Sequence, residues 1–191
     1  MSGEALKRFV FNGLLLEQSF KELEAAGIAV HPVTDKKIAE RAEKLDFSPR
    51  MTAEAAKMAS VFALFFCVEN SCRELVTERL LERHGIDWWE TCVPTKIKTA
   101  VQSLKEAEEH HRYHTTRSSE SIGYTTFGNL AQVVIARWQD FEDLFPDQAW
   151  IVSRFKDMEM SRNIIMHTGI LAPIEIDRVE SIARDWVRQV G

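Results

Sequence analysis

Residues 52–84, TAEAAKMASVFALFFCVENSCRELVTERLLERH, run without a proline or glycine until Gly85. Thr52 can serve as an N-cap, Glu54 puts negative charge in the first turn, and Gly85 supplies the C-terminal stop. The stretch therefore predicts one long helix over Thr52–His84. Apolar side chains fill most of Ala55–Val68, which predicts burial on nearly all sides of that half. Its longest apolar block, Val61–Val68, falls well short of the roughly 18 residues of a membrane span and is ended by Glu69, Asn70 and Arg73. A helix this long and this apolar needs other helices to cover it, which sets the expectation for the rest of the chain.

Working outward, the sequence keeps helical periodicity on both sides, with only eight glycines and five prolines in 191 residues. Residues 4–26 predict a helix ended by Gly27, and Thr34 or Asp35 can cap a short helix through Leu45, before Phe47-Ser48-Pro49. Beyond Trp88-Trp89, Pro94 suits the first turn of a helix reaching about His111. The polar segment 112–124, RYHTTRSSESIGY, predicts an exposed loop. Thr125 or Thr126 begins a helix expected to reach Leu144. Asp147 can cap the next, which carries Met160-Ser161-Arg162-Asn163-Ile164-Ile165-Met166-His167-Thr168 and closes at Gly169 and Pro173. Ile174–Val190 forms the last helix. No period-two strand is evident. The expected fold class is all-α: a bundle of four to five long helices with short additional ones, residues 1–50 being an N-terminal helical extension packed on a domain of residues 51–191.

Composition narrows the function classes. Hydrophobic residues make up 45% of the chain and charged residues 28%, as in a soluble protein. The N-terminus lacks the pattern of a signal peptide, and no membrane association is expected. Three cysteines, Cys67, Cys72 and Cys92, are odd in number and lack a metal-ligand rhythm, so reduced thiols in a cytoplasmic protein are the expectation. A net charge of −5 argues against a protein that coats nucleic acid, but leaves room for a local basic cleft.

The residues with chemistry are few. Arg162 is a permanent cation able to brace a phosphate, and His167 can move a proton near neutral pH. Such a pair supplies the minimum for breaking an RNA phosphodiester without a metal. Asn163 and His167, four apart, share a helix face, whereas Arg162 and His167 differ by about 140° around it. The ordinary alternative gives Arg162 a glutamate partner, Asn163 a buried hydrogen bond, and His167 a place as a cation at a helix C-terminus. Glu69 and Arg73 stand in the favourable order for an intrahelical ion pair, and could either hold the bundle or orient a phosphate-binding cation. His110, His111, His114 and Arg117 lack a completing ligand and read as a solvated loop. Trp88-Trp89 reads as a packing cap rather than a base-stacking platform. No glycine-rich phosphate loop occurs, and neither a cofactor nor a metal is expected.

The combination Arg162-Asn163-x-x-x-His167 resembles the signature of the HEPN superfamily. Phe65–Val76 followed by His84-Gly85-Ile86-Asp87-Trp88-Trp89, then Tyr124–Leu130, Trp138-Gln139-Asp140-Phe141 and Asp185–Gly191, resemble one HEPN subfamily in the same order. That subfamily is named after a domain of an mRNA-surveillance endoribonuclease, and the resemblance covers roughly residues 52–191. It implies an all-helical domain that forms a homodimer with the Arg/His motifs facing across the interface. It further implies a metal-independent endoribonuclease, often a toxin or anti-phage effector, and so an RNA substrate and a possible antitoxin or regulatory partner. On that resemblance Arg162, Asn163 and His167 are catalytic, with Glu69 and Arg73 as supports. Some members are not nucleases, and a non-catalytic module binding nucleic acid, nucleotide or a protein partner is the alternative.

Overall fold

The computed structural model describes residues 46–111 and 113–190. The chain divides into two compact units, residues 1–53 and 54–191. The helices expected over 4–26 and 34–45 lie outside the described residues. Among the described residues the structure is all helical, with six α-helices, two short 3-10 turns and no strand.

Helix α1 spans Pro49–His84. It begins earlier than Thr52, because Pro49 is preset for the first helical position and the Ser48 hydroxyl accepts from the Met51 N–H at 3.4 Å. The other end falls where glycine requires it: Gly85 has φ +75° and returns its N–H to the Leu81 carbonyl at 2.9 Å. The apolar half is not buried on all sides. One seam is buried, through Val61, Phe65, Val68, Cys72, Val76 and Leu80, while Phe66 on the opposite face is 61% exposed. By length and composition α1 could cross a membrane, yet this seam packs into the helical core.

Helix α2, Trp88–Cys92, and α3, Thr95–Glu109, follow. Trp88 is buried and packs edge-on to the half-buried Trp89 at 5.6 Å, the packing cap expected for this pair. The segment read as an exposed loop is only partly so. Its end folds into a 3-10 turn, Ser121–Tyr124, that buries Ile122 and Tyr124 and ties the Tyr124 hydroxyl to Glu108 at 2.8 Å.

Thr126 caps α4, Phe127–Ala136, through a capping box with Asn129. This helix does not continue to Leu144. The chain leaves it at Arg137 (φ −122°, ψ 36°) and makes a 3-10 turn at Trp138–Asp140. The break lets Arg137 and Asp140 both bind His84 at the end of α1: Asp140 Oδ2 lies 2.8 Å from His84 Nε2, and Arg137 reaches the same ring at 3.0 Å. Asp147 caps α5, Gln148–Met166, accepting from the Trp150 N–H at 2.7 Å. Helix α6 spans Pro173–Val190.

Helix α4 packs on α5, and α5 on α6. An aromatic chain runs through these contacts: Phe127 meets Phe155 edge-on at 5.3 Å, Phe155 meets Trp186 at 5.5 Å, and Trp186 stacks near Phe145 at 5.9 Å. The Trp186 indole N–H donates to the Ser71 hydroxyl at 3.0 Å, which fixes α6 on α1. Helix α5 is thereby held by neighbours on its inner side, and that fixes which of its residues face in.

Candidate functional site

The inner face of α5 carries Ile151, Phe155, Met158 and Ser161, all buried. Arg162 follows Ser161 at the edge of that face and points at α1. Its Nε lies 3.4 Å from Glu69 Oε2. The other oxygen of Glu69 accepts from Arg73 at 2.9 Å. Arg73 also donates to Asn70 Oδ1 at 2.9 Å and to the Thr125 carbonyl at 2.6 Å, just before the cap of α4. One carboxylate therefore bridges two guanidinium groups, and the cluster ties α1, α5 and the entry to α4 together.

The cluster is costly. Burial raises the Glu69 carboxyl above its ordinary value; Arg73 and Arg162 oppose that rise without cancelling it, and the charge of Glu159 adds to it. Burial likewise lowers Arg73, against the pull of Glu69. The Arg73 Nε is buried with no hydrogen-bond partner. Arg162 differs from Arg73 in keeping 28% of its side chain exposed, so its cation is held from within and still meets solvent.

Asn163 and His167 are on the other side of α5. Both are exposed, and among the described residues no hydrogen bond or ion pair holds the Asn163 amide or the His167 ring. Their backbones are joined: His167 is the C-cap, and its N–H donates to the Asn163 carbonyl at 3.1 Å. The two residues share a face with Met160 and Ile164, which are 59% and 39% exposed. The structure thus brings Arg162 together with Glu69 and Arg73, and Asn163 together with His167. It does not join Arg162 to His167 within the chain.

The turn after His167 is specialised. The Gly169 N–H donates to the Ile164 carbonyl at 2.8 Å and the Thr168 N–H to the Ile165 carbonyl at 2.9 Å, the paired bonds of a Schellman motif. The left-handed position in that motif is Thr168, with φ 61°, and not Gly169. A β-branched residue is strained there. Gly169 is required for a different reason: a Cβ on it would lie 2.6 Å from Ile164 Cγ2 and 2.8 Å from the Ile164 carbonyl oxygen. The strained residue directly follows His167, and its hydroxyl donates to the His167 carbonyl at 2.6 Å.

Sequence reasoning missed Glu159 and Thr168. Glu159 accepts from the Gly128 N–H at 2.6 Å, placing its carboxylate over the first turn of α4. A carboxylate three residues before Arg162 was visible, but nothing local pairs it with a glycine thirty-one positions away. The loop histidines His110, His111 and His114 are exposed, and among the described residues no group of three or more His, Cys, Asp or Glu side chains is arranged to hold a metal ion. Cys72 and Cys92 are buried, and burial pushes the Cys72 thiol far up, away from the reactive thiolate. No family model, curated protein or solved structure matches this chain.

Proposed function

We propose that the chain is a homodimeric, metal-independent endoribonuclease of HEPN type, with Arg162, Asn163 and His167 as its catalytic residues. The observation that carries the reading is the division of labour on α5: a cation anchored from within by a buried carboxylate, beside an exposed, unpartnered Asn/His pair at the helix end that a strained Thr168 follows. Buried charge that lowers stability, followed by local strain, is the inconsistency expected where function overrides packing. The sequence resemblance supplies the reaction class, and the all-helical fold agrees with it.

One copy presents half of the required groups. His167 of one copy takes the 2′-hydroxyl proton, the 2′-oxygen forms a bond to phosphorus, and the bond from phosphorus to the 5′-oxygen breaks. His167 of the second copy gives its proton to the departing 5′-oxygen. The products are a 2′,3′-cyclic phosphate and a 5′-hydroxyl end. Arg162 stabilises the charge growing on the phosphoryl oxygens, and Asn163 orients the histidine or holds one oxygen. Ile164, Met166, Ile170 and Ile174, all exposed around the corner between α5 and α6, supply apolar surface for the second copy. A toxin or anti-phage effector in the cytoplasm, restrained by an antitoxin, is the setting that the resemblance suggests.

The test is cleavage of RNA by the purified chain, with the ends of the products identified. His167→Ala and Arg162→Ala should each lower the rate by about 10²-fold or more with the helical spectrum unchanged. A His167→Ala protein as active as the parent sinks the reading. A second reading, a non-catalytic module that binds RNA or a partner, is favoured by the pairing of Arg162 with Glu69, which a purely structural role would also need. Binding without cleavage by the unsubstituted protein selects it.

A further inference from the structure

We propose that the groove between α4 and α5 beside Asn163 is a base-reading subsite, which takes the nucleobase next to the cleaved phosphate and selects adenine or cytosine, whose amino group stands where uracil carries a carbonyl oxygen. The inference rests on the endoribonuclease reading above and deepens it by naming what the site discriminates.

The groove has a volume of about 370 Å³, within the range of small-ligand pockets, and Asn163 forms part of its wall. Val152 and Met160 line it while remaining 42% and 59% exposed, and Ile135 adds a third apolar wall. Apolar walls open to solvent can cover the face of a base. The polar lining groups are Gln132 from α4 and Glu159 and Asn163 from α5, with Lys156 the one cation among the lining residues.

Glu159 decides the selectivity. Its Oε2 is fixed by the Gly128 N–H at 2.6 Å, and a Cβ at position 128 would come within 2.5 Å of that oxygen, so glycine is what lets the carboxylate seat there. No described residue donates to Oε1, which is left as an acceptor. A fixed carboxylate accepts from the amino group of cytosine, and amide side chains pair with the amino edge of adenine. Uracil puts a carbonyl oxygen where those bases carry the amino group, and the carboxylate repels it. The groove reaches the proposed catalytic residues through Asn163, which lines it and directly follows Arg162 on α5. Lys156 is placed to meet a flanking phosphate as a point charge.

The test uses the full chain and short single-stranded RNAs differing in one base beside the cut, read by cleavage rate, and by fluorescence anisotropy with the His167→Ala protein. Adenine or cytosine should be preferred to uracil by about tenfold in both measurements. Glu159→Gln should collapse the preference by admitting uracil, and Gln132→Ala should shrink it. Lys156→Ala should weaken binding of all sequences and reduce the slope of log affinity against log salt by about 0.7. Uracil bound and cleaved as well as the amino-bearing bases overturns the proposal, as does a preference unchanged in both Glu159→Gln and Gln132→Ala. Base-independent binding with a change of oligomeric mass in Gln132→Ala would assign the groove to a second copy, and also overturns it. Base-selective binding without any cleavage removes the nuclease reading alone; cleavage without base preference removes the subsite alone.

Discussion

The Nε of Arg162 lies 3.4 Å from Oε2 of Glu69, a carboxylate buried in the middle of the longest helix. Glu69 is shared with Arg73, and both Glu69 and Arg73 are shifted by burial against their charged forms. Such a cluster does not exist for stability. Removing Glu69 leaves both guanidinium groups without their carboxylate, at about 3 kcal/mol, whereas replacing a pair by apolar groups of similar size is often neutral or better.

Glu69→Gln should therefore lower stability by about 2 to 3 kcal/mol, through repulsion between Arg73 and Arg162 and the loss of both charge pairings. Glu69→Leu combined with Arg73→Met should recover most of that loss in urea denaturation. It should not recover RNA cleavage, because Arg162 has lost its anchor. A double variant no more stable than Glu69→Gln would show that the cluster is structural cement and remove the argument for its role in positioning Arg162.

The junction at His84 makes the opposite kind of prediction. Burial pushes the Asp140 carboxyl up, but the hydrogen bond and charge of His84, with Arg83 and Arg137, together hold it below its ordinary 3.8. A carboxyl with a depressed folded value contributes stability above its unfolded value and loses it as the pH falls through the folded one. Asp140→Asn should thus cost about 1 to 2 kcal/mol at neutral pH. The gap between parent and variant should close as the pH drops below 3.8. An equal gap at pH 7 and in strong acid would mean that the carboxylate charge is not what ties the end of α1 to the turn at Trp138–Asp140.

Thr168 and Gly169 divide a task usually given to one residue. Thr168→Asn should raise stability by about 1 kcal/mol, since asparagine tolerates the left-handed position, or about 2 to 4 °C in melting temperature for a chain of this size. Gly169→Ala should lower it, because the new Cβ meets the backbone oxygen of Ile164 and not merely a movable side chain. If the strain serves the turn at His167, Thr168→Asn should also slow cleavage. Melting temperatures of the two variants that move in the same direction would contradict this assignment of roles.

These residues show what the sequence makes legible and why. The long core helix, its stop at Gly85, the caps at Thr126 and Asp147, and the Glu69–Arg73 pair are all local, set by spacing within a few residues. The all-helical class follows from them. The features that sequence reading misplaced depend on distant partners. Helix α4 ends early where Arg137 and Asp140 reach His84, more than fifty positions away. The burial pattern of α1 failed for the same reason: apolar residues on every face say that a helix is packed, but not which seam its neighbours cover. For the site, spacing alone placed Arg162 and His167 on different faces, and the structure keeps them apart.

That separation leads to the last prediction. If the two faces of α5 work on one phosphate, a second copy has to supply what one copy cannot bring together. Ile170 and Ile174 are 56% and 69% exposed, lie just beyond His167, and carry no catalytic group. A charge at either position would be desolvated without a partner in a two-fold interface, and would cost little on a free surface. Ile174→Asp should therefore leave the melting of the isolated chain nearly unchanged, shift its mass toward the monomer, and lower cleavage in proportion to the dimer lost. Raising the protein concentration should restore both together by mass action. A monomeric Ile174→Asp protein with full activity per chain would show that one copy suffices, and the composite site would have to be abandoned.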